Sequence, residues 1–116
     1  MPEIQLKYIK NKKLNFKNLL NKTDTIIWKK SENLEICVDS KINKFHFDNC
    51  NSIKLYLYGT ISGLEINNCN DFTIIIPKNH SITCIDLYKS YVTVNDICEN
   101  FHKIPLINEN SKIIFI

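Results

Sequence analysis

Metal or thiol chemistry in this 116-residue chain would have to draw on five cysteines and three histidines. Cys37, Cys50, Cys69, Cys84 and Cys98 are separated by 13, 19, 15 and 14 positions, and no C-x-x-C pair occurs. His46, His80 and His102 stand at no spacing typical of a metal site. The expectation is no metal, with reduced and mostly buried thiols that pack as small apolar groups. Phosphoryl chemistry fares no better. All fifteen Lys+Arg positions are lysine, so no arginine finger, no two-pronged guanidinium grip on phosphate and no arginine contact to guanine is available. Gly59 and Gly63 are the only glycines, too few for a phosphate-cradling loop, and no triad-like order of Ser, His and Asp stands out. Neither an enzyme nor a cofactor is expected.

The cysteines carry information of another kind. FHFDNCNSI (45–53) returns nineteen residues later as LEINNCNDF (64–72). Stepping back nineteen from Phe45, Phe47, Ile53, Leu55, Leu57 and Ile61 gives Ile26, Trp28, Leu34, Ile36, Val38 and Ile42. Stepping forward gives Leu64, Ile66, Phe72, Ile74, Ile76 and His80. Seventeen of these eighteen positions are apolar in a chain that is 44% hydrophobic, which marks a true repeat. Each unit reads as a short alternating strand, a polar corner and a second alternating strand.

A unit this short cannot bury its own apolar face and must stack on its neighbours. The expected fold is all-β, a right-handed parallel β-helix of about four to five coils, as one domain over residues 1–116. The coils would span 24–42, 43–61 and 62–80, with a slipped fourth at 81–95 built on Ile85/Leu87 and Val92/Val94. Tyr8, Leu14 and Phe16 would start an imperfect first coil inside the basic segment 1–23. At the repeated corner, Ser31, Cys50 and Cys69 should turn inward, while Asn49 and Asn68 form a side-chain ladder to the backbone. Trp28 belongs to the core, and His46 and Tyr56 point outward by alternation.

The ends of such a stack need covering. The extension 96–116 closes with an apolar strand, Lys112, Ile113, Ile114, Phe115 and Ile116, that has no remaining coil to join in a simple stack. That strand, alone or as part of a hairpin, either tucks under its own chain or is donated to a second copy, giving a homodimer. Residues 1–30 hold eight lysines against Glu3 and Asp24, whereas residues 31–116 sum to −3. A basic arm suits an acidic partner; a solvated, screened face is the simpler alternative. No run approaches the roughly 18 apolar residues of a membrane span, and no apolar leader opens the chain, so a cytoplasmic location is expected.

LEICVDSKINKFHFDNCNS (34–52), with Lys41-Ile42-Asn43 before an alternating strand and Asp48-Asn49-Cys50 at the corner, resembles the C-terminal β-helical domain of the cyclase-associated proteins, which bind actin monomers. IIPKNHSITCIDLYKSYVTV (75–94) is similar to that family's late coils through Lys78-Asn79, Cys84 and Lys89-Ser90. CENFHKIPLINENSKIIFI (98–116) parallels its closing stretch and final strand. The resemblance covers about residues 30–116. It implies monomeric actin as partner, promotion of nucleotide exchange on actin and a cytoskeletal location, beside the dimerisation by exchange of residues Lys112 to Ile116 already read from the unplaced closing strand. It also makes Lys78, Asn79, Lys89 and Ser90 the candidate actin-binding residues. The family's Lys-Ser-Ser-Glu run is present only as Lys89-Ser90-Tyr91. Two alternatives stand beside this reading, which involves no nucleic acid. One is a cofactor-C-like regulator of a small GTPase or of tubulin folding, for which the required arginine is missing. The other is a Lys-rich module that binds polyanions through residues 7–30.

Overall fold

The alternating segments form strands, and the strands coil. The computed structural model describes residues 3–16, 21–96 and 103–116. Its strands are β1 (Glu3–Lys7), β2 (Lys10–Asn15), β3 (Thr25–Lys29), β4 (Glu32–Asp48) and β5 (Asn51–Asn67), then β6 (Asn70–Ile76), β7 (Ile85–Tyr88), β8 (Tyr91–Asp96), β9 (Leu106–Glu109) and β10 (Lys112–Phe115). Every strand pair is parallel, and the chain winds as a β-solenoid of about five turns. One stack runs β1, β3, the second half of β4, the second half of β5, β7 and β9. The other runs β2, the first half of β4, the first half of β5, β6, β8 and β10. A short third side pairs Lys41 with Gly59 and Ile42 with Thr60, and Gly59 bridges Ser81.

The nineteen-residue period is the spacing of the central turns, where Ile26, Phe45 and Leu64 stand in register, as do Leu34, Ile53 and Phe72. Outer turns are longer: Leu6 lies opposite Trp28, Ile66 opposite Leu87, and Phe72 opposite Val92. The slipped fourth coil is thus a lengthened turn whose apolar pairs keep to the same columns. Inside the coil these columns stack like on like. Trp28, Phe45 and Phe47 lie nearly parallel with ring centroids 5.8 to 6.4 Å apart, and Phe72 meets Phe47 edge-on at 4.8 Å. Each such contact adds about 0.5–1.5 kcal/mol to the area buried.

Three expectations are corrected. Ile61 does not face the core: the register shifts between Val38 and Lys41, so Thr60 takes the inward place opposite Ile42 and Ile61 is 48% exposed. The hydroxyl this buries is satisfied by Thr83, 3.3 Å away. Tyr8 lies outside the first turn's interior; Leu6 fills the column under Trp28, while Leu14 and Phe16 pack against the core as expected. The C-terminal strand does find a coil to join, and among the described residues of the extension its two strands do not pair with each other. In this chain β9 stacks on β7 and β10 on β8, each continuing the solenoid by one step. Cys98, His102 and the start of the 98–116 tail lie outside the described residues.

One glycine is required. Gly63 has φ +121, and a β-carbon there would come within 2.6 Å of the Cys84 sulfur on the next turn.

Candidate functional site

At the corner between the two stacks, one column repeats on successive turns: Ser31, Cys50, Cys69, Ser90 and Ser111. Each side chain donates to the carbonyl two residues before it, at 3.2, 3.5, 3.3, 2.9 and 3.2 Å respectively. Three of the hydroxyls also accept a backbone N–H from the preceding turn: Ile9 to Ser31, Cys69 to Ser90 and Ser90 to Ser111, at 3.0 to 3.1 Å. The cysteine of the repeated motif is therefore a sulfur version of a serine rung. Cys50 and Cys69 are fully buried. A hydrogen bond from the Cys69 thiol lowers Cys50 to about 7 against the opposing effect of burial, while the same bond and burial push Cys69 far up. Burial, then the Asp39 charge, raise Cys37. Among the described residues no three His, Cys, Asp or Glu side chains gather as a metal site.

The residue before each rung adopts the left-handed conformation, Lys30, Asn49, Asn68, Lys89 and Asn110, as does Tyr8 before Ile9 at the equivalent place in the first turn, with φ between 47 and 58. Asn49 and Asn68 thus serve the corner through their backbone rather than through the expected side-chain ladder. A side-chain ladder exists three positions later, where Asn33 donates to Asn11 at 2.7 Å and Ser52 donates to Asp71 at 2.8 Å. Left-handed backbone costs an ordinary L-residue about 1–2 kcal/mol, and Asn is among the few that tolerate it. Tyr8, Lys30 and Lys89 are poor choices for holding a corner, and all three are exposed.

The residues singled out by resemblance do not form one cluster. Lys78 and Asn79 occupy an exposed turn just beyond β6. Lys89 stands at the corner beside the start of β6, since Asn68 N–H bonds to the Tyr88 carbonyl and Tyr91 N–H to the Cys69 carbonyl. The length of β6 therefore separates them, roughly 20 Å at the strand rise. Ser90 is 4% exposed and its hydroxyl is committed to Cys69, Tyr88 and Ile66, so it holds the corner and offers no surface of its own. Of Lys41-Ile42-Asn43, the last two are internal: Ile42 is in the core, and Asn43 donates to Thr25 and accepts from Ser62.

Sequence reasoning passed over Tyr88 and Tyr91. Lys89 lies 5.3 Å from the Tyr88 ring centre and Lys112 5.4 Å from that of Tyr91, giving two exposed lysine–tyrosine pairs at the last corners. The signal was available, because Leu87 and Val92 point inward and so turn Tyr88 and Tyr91 outward. Of the outward aromatics that were noted, His46 is half-buried, 3.2 Å from the Glu65 carboxylate and 3.1 Å from the Asn67 amide. At the final edge Ile107, Ile114, Phe115 and Ile116 are exposed, whereas Ile113 is partly buried against the core.

These features define a β-solenoid scaffold that presents side chains on flat faces and at stacked corners. Residues 4–93 match the family model for the adenylate cyclase associated (CAP) C-terminal domain, and the chain belongs to that family. The match begins well before residue 30, in the basic first turn, and stops short of β9 and β10. Membership implies an actin-binding protein of the cyclase-associated type. No significant match is found among curated proteins or among solved structures. Among the described residues, no helix is long and apolar enough to cross a membrane.

Proposed function

We propose that this chain binds monomeric actin, accelerates exchange of the actin-bound nucleotide, and acts in the cytoplasm on filament turnover. The observation that carries this reading is the family match over residues 4–93, from β1 into β8. Exchange is accelerated only by a partner that binds the open nucleotide cleft better than the closed one, and a rigid sheet face suits such a brace. Lys78, Asn79 and Lys89 meet acidic groups on actin across an extended surface, with Tyr88 and Tyr91 as aromatic anchors. Ser90 acts by holding Lys89 in place. Two copies associate through residues Lys112 to Ile116, whose strand would lie on the partner's β8 in the register it keeps on its own.

Release of a fluorescent nucleotide from actin tests this directly. Sub-stoichiometric protein is expected to speed release, and the K78A/K89A pair to slow it again while the circular dichroism spectrum is unchanged. No acceleration by the unsubstituted chain would overturn the exchange activity. Co-sedimentation with actin would then tell whether binding itself remains.

A further inference from the structure

The first corner of the solenoid carries a feature that actin recognition at the last corners does not use. Lys7, Tyr8, Lys29, Lys30 and Asp48 surround a concavity of about 300 Å³. Lys7, Lys29 and Asp48 are successive register partners at the ends of β1, β3 and β4, so they follow one another up the stack at strand spacing. Lys30 follows Lys29 at the corner, with its ammonium 5.9 Å from the Tyr8 ring centre. Among the described residues, none of these three lysines forms an ion pair. The neighbouring Lys10 and Lys13 do, with Glu32 and Glu35. Asp48 is the one carboxylate in the lining, and one of its oxygens accepts from the Asn49 amide.

The backbone here is already spent on the stack: Tyr8 N–H bonds to the Lys29 carbonyl and Lys30 N–H to the Asp48 carbonyl. Recognition therefore falls to the side chains. A second observation is conformational. Asn49 and Asn68 fill the left-handed corner position in the next two turns, yet Tyr8 and Lys30 fill it in the first two, where that backbone is strained for them. A lysine and a tyrosine kept in a place that suits asparagine point to the work of their side chains.

We propose that this first corner is a binding site for a multivalent phosphate anion. Lys7, Lys29 and Lys30 neutralise it as point charges, and the exposed Tyr8 ring forms one wall. At about 300 Å³ the concavity has room for adjoining phosphates. Without a guanidinium fork, selection is by charge number more than by geometry, so a diphosphate binds better than a monophosphate. The ligand is either a soluble polyphosphate or the phosphorylated headgroup of a lipid.

The test uses the full chain, with sodium pyrophosphate followed through backbone amide resonances. Shifts are expected at Lys7, Tyr8, Lys29 and Lys30, with affinity falling as salt rises. The K29Q/K30Q pair should weaken binding roughly thirtyfold, whereas K89Q/K112Q should leave it unchanged. Lys30→Asn separates ligand binding from architecture: it should lower pyrophosphate affinity while raising thermal stability. Phosphatidylcholine vesicles with a minor fraction of phosphatidylinositol bisphosphate distinguish the sources. Vesicle binding that pyrophosphate competes away assigns a lipid headgroup, and pyrophosphate binding without vesicle binding assigns a soluble ligand. The proposal is overturned if pyrophosphate shifts none of these amides or if K29Q/K30Q binds like the unsubstituted chain. A single-stranded oligonucleotide that binds more tightly and ignores K29Q/K30Q would also overturn it. None of these readouts involves actin.

Discussion

At the first turn, β1 and β2 present an outer edge bordered by Lys7, Lys10, Lys12 and Lys13, on which no further described strand lies. At the last turn the equivalent edge, on β9 and β10, is bordered by Leu106, Ile107, Ile114, Phe115 and Ile116. Both leave backbone groups able to pair with another chain. Lys12 shows how the first edge is blocked. It stands in register with the core column of Leu34, Ile53 and Phe72, so a charge replaces the apolar group a stacking partner would need. The last edge keeps apolar residues on both sides of the strand. In the dimer proposed above the last end is the adhesive one, and reciprocal exchange of β10 closes at two copies while the first end stays blocked. Two adhesive ends would stack head to tail without limit.

Both ends rest on a common middle, so the largest effect is expected there. Phe47→Ala, in the fully buried aromatic stack, should lose about 3–5 kcal/mol in denaturant unfolding, more than any single change at either end. A loss under 1 kcal/mol would mean the central turns do not carry the fold. Next, I114K/F115K would place the lysines of the first edge on the last one. The proposed dimer should weaken about a hundredfold in analytical sedimentation, since each charge appears twice across a symmetric contact. An unchanged mass would place the contact elsewhere. The reverse exchange, K10T/K12I, should release the first edge and give species larger than a dimer as concentration rises. The smallest effect belongs to the exposed Lys13–Glu35 pair, 3.5 Å apart. A double-mutant cycle should return about 0.2–1 kcal/mol, vanishing at high salt.

The sequence made the middle of the molecule plain because three consecutive units keep one length, and period-two alternation leaves a single face for burial. Where turn length changes, the pattern blurs. A one-residue register slip exchanged Thr60 for Ile61, and composition gave no warning, because a bonded threonine is as good an inward residue as an exposed isoleucine is a poor one. Tyr8 misled for a related reason: an aromatic near a strand reads as core unless its left-handed backbone is known. The corner asparagines were recognised by type, but not by mechanism. For the candidate site, the separation of Lys78 from Lys89 depends on which side of the coil each occupies, and that follows only once the three-sided path is traced.

The serine and cysteine rungs have one further consequence. Because rungs in successive turns bond the carbonyl of their own turn in the same way, and hand an acceptor to the turn before where a hydroxyl is present, neighbouring turns meet through interchangeable joints. Length in such a molecule is counted in whole turns. A lineage could insert or remove a coil of nineteen to twenty-two residues and leave the joints on either side unchanged. The distance between the lysine-blocked end and the adhesive end would then be an adjustable spacing, set by the number of turns between two fixed terminal designs.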